Sequence, residues 1–220
     1  MMIAPVIRRD LILALRSGGA WLYGLFFFTV FIALSAIALG GSFNVMRPLA
    51  PALIWLAVIF SAMLSFHTIF QDDYNDGNLA QLKLSGVGLL TLCTSKAISF
   101  ALLSIFPLII AAPLAALVFD MTFQTILATV LSLLFASPAL AVYGVLSSAI
   151  LAGRRGGSFL IVLITTPFLI PLLIFGLEAI EGYSANGLAA LEFRILVGLS
   201  FIAIAVGLPA AAAALNAHLE

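Results

Sequence analysis

Three aspartates lie close together at positions 72, 73 and 76, and their type and spacing come nearest to a chemical site in this chain. Carboxylates grouped in this way can bind Mg²⁺ or accept a phosphoryl group. Acids at the opening of a helix also cap its free N–H groups and interact favourably with the helix dipole. The capping role is the commoner one. We therefore interpret Asp72, Asp73 and Asp76 as helix-opening residues and keep a metal site as the alternative.

The sequence Gly153-Arg154-Arg155-Gly156-Gly157 combines glycines with cations, as phosphate-binding loops do. It has no Gly-Lys-Ser/Thr ending and no preceding strand, so it predicts a tight hairpin instead. The chain also contains neither a His-Glu-x-x-His zinc helix nor a Gly-x-Ser-x-Gly nucleophile elbow. The sequence therefore predicts a protein that is not an enzyme. Any ATP hydrolysis that it uses must take place on another chain.

Cysteine count and charge balance exclude further classes of site. Cys93 is the only cysteine, which excludes an internal disulfide and a cysteine-based zinc site and predicts a small apolar residue at a helix start. The nine basic and nine acidic residues balance, which leaves no cationic surplus for a row of phosphates. Nucleic-acid binding is therefore not expected.

The positions of the charged residues define the fold. They leave six uncharged stretches, at 17–46, 48–71, 97–119, 121–153, 156–177 and 195–219. About 20 apolar residues in a helix cross the hydrocarbon core of a bilayer, and lipid offers no partner to an unpaired backbone. With 64% hydrophobic and only 8% charged residues, little remains for a separate soluble domain. The sequence predicts one all-α domain over 1–220, a polytopic membrane protein with six transmembrane helices.

Lysine and arginine predict the orientation of these spans. With a cytoplasmic N-terminus, Arg47 and Arg194 are the only two of the nine basic residues outside, which favours an N-in and C-in arrangement. Residues 178–194 then form an extracytoplasmic loop. Residues 1–18 place apolar side chains at helical spacing among arginines and predict an interfacial helix, with a plain charged tail as the alternative. The apolar run 21–39 is too long for a cleavable signal peptide, so we expect a retained first span.

The segment 71–90, between the second and third spans, is the predicted functional centre. Asp76 is suited to cap a short surface helix in which Leu79 and Leu82 recur three residues apart. The run 85–88 contains two glycines and ends this helix before the third span begins near Leu89. Such a helix can rest on the membrane or dock into a groove of a soluble partner, and sequence physics alone leaves both open.

The run from Ile69 to Ser85 reads IFQDDYNDGNLAQLKLS. It resembles the first cytoplasmic loop of six-span ABC export permeases whose ATPases are separate chains. Its Phe-x-x-Asp-Asp-Tyr-x-Asp-Gly-x-Leu wording is more specifically similar to the CcmB family, haem exporter protein B of cytochrome c maturation. The length, the six spans and an N-terminal amphipathic helix containing Arg-Arg-Asp extend the likeness to essentially the full chain.

The resemblance implies a permease of the bacterial inner membrane that exports or releases haem for c-type cytochrome biogenesis. Its partners would be a cytoplasmic ABC ATPase, a second permease copy and other haem-handling membrane subunits. Haem is then a cargo of the complex, and no cofactor is expected on this chain. The implied ATPase-coupling residues are Asp72, Asp73, Asp76, Gly77, Leu79, Leu82 and Lys83. Two departures, Ala80 for a glutamate and Gly86 for a proline, bear on the strength of coupling.

Two further hypotheses stay open at this level. One is an ABC permease for another hydrophobic cargo, lipid or drug, and the other is a membrane scaffold that only assembles haem-handling subunits. His67 lies near the end of a span, where an iron ligand is conceivable. A single histidine facing a helix bundle is more often hydrogen-bonded to a neighbouring helix, so we do not expect it to bind haem.

Overall fold

The computed structural model describes residues 3–16, 20–84, 86–153 and 157–219, and its regular elements over these ranges are helices. The side chain of Lys83, and all of Arg154 and Arg155, lie outside the described part. The helices follow in chain order: α1 Ile3–Arg16, α2 Ala20–Ala38, α3 Phe43–Phe66, α4 Thr68–Asn75, α5 Asn78–Leu84, α6 Leu89–Phe100, α7 Phe106–Val118, α8 Phe123–Ile150, α9 Gly157–Asn186, α10 Leu191–Ile202 and α11 Leu208–Leu219.

Several of these helices run on without interruption and form longer apolar units. Within the described residues, five such units are long and apolar enough to cross a membrane: Phe43–Asn75, Leu89–Val118, Phe123–Ile150, Leu160–Ala189 and Leu191–His218. A shorter apolar helix, Leu22–Ala38, precedes them. The prediction of an all-α polytopic membrane protein is confirmed.

Two helices extend beyond the uncharged stretches from which they were predicted. The unit Leu89–Val118 begins eight residues before the predicted stretch 97–119 and so includes Lys96. The predicted stretch 156–177 extends as α9 to Asn186 and includes two glutamates. The predicted loop 178–194 is therefore helical over most of its length, with a 3₁₀ turn at Gly187–Ala189. A charge can remain in such a helix where it is ion-paired or lies near the end.

Helix α8 lies at the centre of the bundle and packs against α3, α6, α9, α10 and α11. Small residues allow this close approach: a Cβ added at Gly144 would lie 2.7 Å from the Phe66 ring. Buried polar groups join neighbouring helices, since Trp55 Nε1 donates to Ser132 Oγ at 3.0 Å and Ser200 Oγ donates to the carbonyl of Phe135 at 2.8 Å. In a membrane, where apolar burial does not discriminate between helix and lipid, small residues and such bonds hold helices together.

Prolines locally widen two of the long helices. The π-helical turns Ala101–Ile105 and Ala203–Gly207 each end two residues before a proline, Pro107 and Pro209. Proline has no N–H to donate, and a local π turn provides other partners for the carbonyls left free. The chain therefore keeps both helices continuous through these prolines.

Candidate functional site: the segment between α3 and α6

The segment after α3 consists of two short helices joined by a sharp turn. Asp76 ends α4 with φ −81° and ψ −4°, and its N–H donates to the Asp72 carbonyl at 3.0 Å. Gly77 follows at φ +73°, a left-handed conformation that glycine adopts at little cost. The predicted surface helix is present as α5, but the prediction that Asp76 caps its start is wrong. The polar residues 71–75 continue the preceding helix, so Asp76 terminates α4.

Two leucines of α5, Leu79 and Leu82, face the protein. The side chain of Leu79 is only 1% exposed, and Leu82 is half-buried and packs against the same core. Leu79 is buried because α5 folds back onto the bundle, and docking of Leu79 and Leu82 on the ATPase stays a prediction. Among the described residues from Gln71 to Gln81, the exposed positions are Asp72, Tyr74, Asn75, Asp76, Gly77 and Gln81.

Asp73 turns away from this exposed surface and joins a buried charge cluster with Arg9, Asp10 and Lys96, called here the four-charge cluster. Lys96 Nζ lies 2.5 Å from Asp73 Oδ2 and 3.1 Å from Asp10 Oδ2. Arg9 Nη2 donates to Asp73 Oδ1 at 2.9 Å and to Asp10 Oδ1 at 3.0 Å. The cluster thus connects three elements: α1, α4 and α6.

The electrostatics of the cluster are balanced. Two cations face two carboxylates, and the side chains of Asp73 and Lys96 are only 9% and 10% exposed. Partial burial by itself would lower the pKa of Arg9, but attraction to Asp73 and hydrogen bonds to Asp10 and Asp73 outweigh it and raise that pKa. A buried ion is tolerated where opposite charges compensate the loss of water, and each member here has an oppositely charged partner within 3.1 Å.

The aspartate trio is consequently not a single site. Asp72 and Asp76 are exposed, whereas Asp73 is buried in the four-charge cluster. Over the described residues no group of three or more histidines, cysteines, aspartates or glutamates is arranged to hold a metal ion. The structure therefore supports neither the helix-opening role nor the metal site for the trio as a whole.

Two further contacts, made by Tyr74 and His218, lie at the same end of the bundle. Tyr74 covers the turn 151–153 after α8: a Cβ added at Gly153, whose φ is +77°, would lie 2.6 Å from Tyr74 Cε1 and Oη. His218, near the end of α11, has its Nε2 3.0 Å from the carbonyl of Ile150. The segment between α3 and α6 thus contacts α1, α6 and the turn 151–153 after α8.

His67 occupies a different environment from the one predicted. It lies at the junction of α3 and α4 and is exposed, so it does not face the helix bundle. Its backbone N–H donates to the Ser65 carbonyl, whereas the described residues include no hydrogen-bond partner for its imidazole ring. It borders an open groove of about 340 Å³. The other lining residues are apolar and come from α2, α3 and α9: Phe27, Phe60, Met63, Leu64, Ile161 and Val162.

The opposite end of the bundle carries a different ion pair. Arg47, in the first turns of α3, pairs with the Asp120 carboxylate and donates through Nε to the Asp120 carbonyl at 2.9 Å. Both side chains are about half exposed, at 53% and 46%. This pair resembles the four-charge cluster in chemistry but lies in solvent-accessible surroundings, where an ion pair contributes little.

Sequence reasoning missed three of the four members of the cluster: Arg9, Asp10 and Lys96. The available signal was Lys96, because an ionisable residue inside an apolar helix needs a partner. The Arg-Arg-Asp run of α1 contains both basic and acidic side chains, and its aspartate is a possible partner for Lys96. The 64 residues that separate Arg9 from Asp73 left the pairing invisible without the fold.

The chain is similar to known proteins along its whole length. It matches the family model described as CcmB protein over residues 1–218. It is 33% identical over 220 residues to heme exporter protein B of Haemophilus influenzae, covering 100% of both chains. It is 32% identical over 219 residues to the protein of that name from Bradyrhizobium diazoefficiens, covering 99% of both chains, and 29% identical over 202 residues to that of Escherichia coli K12, covering 90% and 92%. The chain therefore belongs to the CcmB family of multi-pass membrane proteins.

Proposed function

We propose that this chain is the permease subunit of an ATP-driven ABC transporter complex of the bacterial inner membrane, and that the complex exports or releases haem for c-type cytochrome biogenesis. The observation that carries the proposal is the full-length match to the CcmB family, whose relatives are named heme exporter protein B. ATP is hydrolysed on a separate cytoplasmic subunit. A second permease copy and other haem-handling membrane subunits complete the complex.

The ATPase docks on the exposed face of the segment between α3 and α6. Asp72, Asn75, Asp76 and Gln81 are exposed there and offer acidic and amide groups to a polar, cationic groove of the partner. Asp73 and Leu79 are excluded from this face by burial. The sequence alone placed the leucines of α5 in the docking surface. The docking surface proposed here consists instead of the polar residues beside them.

The proposed orientation places both termini and this segment in the cytoplasm and counts α2 as the first of six spans. Arg9 and Lys96 lie together at one end of the bundle, and Arg47 lies at the other with Asp120. This grouping supports the cation asymmetry from which the orientation was predicted. Labelling of an introduced Asn75→Cys, with buried Cys93 replaced by serine, should succeed only from the cytoplasmic side. Labelling from the periplasm would overturn the orientation and the docking proposal with it.

Haem is a cargo of the complex in this proposal and does not reside on the isolated chain. Only His67 and His218 supply imidazoles, and His218 lies against the Ile150 carbonyl. The purified single subunit should therefore bind haem weakly, and His67→Ala should leave haem-dependent spectra unchanged. Stoichiometric haem that is lost in His67→Ala would refute this part.

The docking surface is tested by reversing its exposed charges. We expect Asp72→Lys with Asp76→Lys to lower co-purification of the ATPase and the yield of mature c-type cytochrome by about tenfold or more, since like charges now face each other. The matched control reverses two exposed glutamates of α9 at the other end of the bundle, Glu178→Lys with Glu181→Lys, and should change neither.

Two results would contradict the proposal. Normal co-purification and normal cytochrome yield in the Asp72/Asp76 variant would place the docking surface elsewhere. Normal cytochrome yield with an ATPase that assembles but cannot hydrolyse ATP would make this chain a scaffold instead of a transporter subunit.

A further inference from the structure

The four-charge cluster links the proposed docking segment to two other elements. α4 carries both the exposed residues Asp72 and Asn75 and the buried Asp73 between them. Through Asp73 it is joined to α1 by Arg9 and to α6 by Lys96, at 2.9 and 2.5 Å. A displacement of the exposed face of α4 must therefore move charges that are bound to the N-terminal helix α1 and to the apolar unit Leu89–Val118.

Burial makes these links stiff. Separating Asp73 from Lys96 would remove the nearest opposite charge from two side chains that are about nine-tenths buried, and would leave Asp73 with Arg9 alone and Lys96 with Asp10 alone. Water cannot replace the lost partner unless the site opens, so an arrangement in which the elements move together is strongly favoured over one in which they part. The Arg47–Asp120 pair, about half exposed, imposes no such constraint because solvent can take over either partner.

We propose that Arg9, Asp10, Asp73 and Lys96 are positioning residues that make α1 and the start of α6 move with α4 when the ATPase subunit moves. The cluster thus transmits a movement of the docked ATPase from α4 to the membrane-spanning helices. This inference rests on the proposed ABC permease function. It goes beyond it by assigning transmission to buried charges that make no contact with the partner.

The experiment separates transmission from support of the fold. Asp73→Asn with Lys96→Met is close to isosteric and removes one charge of each sign, so Arg9 keeps Asp10 and no uncompensated ion remains. Replacing a buried ion pair by neutral groups of similar volume is often tolerated. The matched control neutralises the other ion pair, Arg47→Met with Asp120→Asn. Each variant is produced in the complete complex, and three quantities are measured: thermal stability, ATPase subunit retained per permease, and yield of mature c-type cytochrome.

We expect the Asp73/Lys96 variant to assemble and to retain the ATPase within about twofold of the wild type. Its cytochrome yield should nevertheless fall by about tenfold or more, because ATPase movement no longer reaches α6. The control variant should match the wild type in all three quantities.

Two outcomes overturn the inference. A cytochrome yield within about twofold of the wild type would show that the ionic links transmit nothing. Loss of assembly together with yield would show that the cluster only holds the fold. Failure of the underlying function would be recognised separately, because the wild-type chain itself would then show no ATP-dependent cytochrome yield.

Discussion

Leu79 can have one of two roles: it can dock on the ATPase, or it can anchor the segment between α3 and α6 to the bundle. A substitution at Leu79 distinguishes the two. Its side chain is 1% exposed. Truncation of a buried leucine to alanine removes its transfer free energy and leaves a cavity, at about 2–5 kcal/mol. Because α5 has only seven residues and lies at the end of the bundle, part of the cavity should collapse, so we expect about 2–3 kcal/mol for Leu79→Ala.

The assay is thermal unfolding of the purified chain in detergent. For a chain of this size about 1 kcal/mol corresponds to about 2–4 °C, so Leu79→Ala should lower the Tm by about 4–12 °C. Gln81→Ala is the matched control, two residues further along the same helix and exposed, and should change the Tm by less than about 2 °C. The folded fraction of Leu79→Ala should retain the ATPase normally. An unchanged Tm combined with loss of the ATPase would refute the burial argument and restore Leu79 to the docking surface.

Two glycines give further predictions that the same measurement checks. Gly77→Val should lower the free energy of unfolding by about 1–3 kcal/mol, since a β-branched residue is forced to φ +73°, whereas Gly77→Asn should be nearly neutral. Gly176→Ala should lower the free energy of unfolding by about 1–3 kcal/mol through overpacking, because the added Cβ would lie 2.6 Å from Trp55 Cε2. Gly198→Ala is the control and should not destabilise the protein, because a Cβ added there meets open space. A neutral Gly176→Ala would contradict the tight α3–α9 contact.

The helical architecture was accessible from the sequence because one physical constraint dominates it. Charges are excluded from the lipid-facing parts of a span, so gaps between charges locate the apolar units, and the break at 85–88 correctly placed the next helix at Leu89. The exact bounds were not accessible by this rule. The rule locates only the residues between charges. A helix such as α9 continues beyond its first charged residue, so its end cannot be located in this way.

The direction of each side chain in the candidate site could not be obtained from local pattern. Asp72 and Asp73 are neighbours of the same type, yet one is exposed and the other is nine-tenths buried. The difference arises from Arg9 and Lys96, which reach Asp73 from distant parts of the chain. Likewise, the spacing of Leu79 and Leu82 correctly predicted a helical face but not whether that face meets the bundle or a partner.

The charge balance of the cluster also bears on how Lys96 is interpreted. An ionisable residue in an apolar helix is by default a candidate for an ion or proton pathway, and such a pathway needs a group that can change its charge during the cycle. Lys96 has two carboxylates within 3.1 Å, and these carboxylates are also bound to Arg9. The two cations and two carboxylates of the cluster are all bound to one another, so Lys96 is already engaged in ion pairs within the protein. Such a closed set of ion pairs suits mechanical connection between helices better than it suits binding of a coupling ion, which agrees with energy supplied by ATP on another subunit.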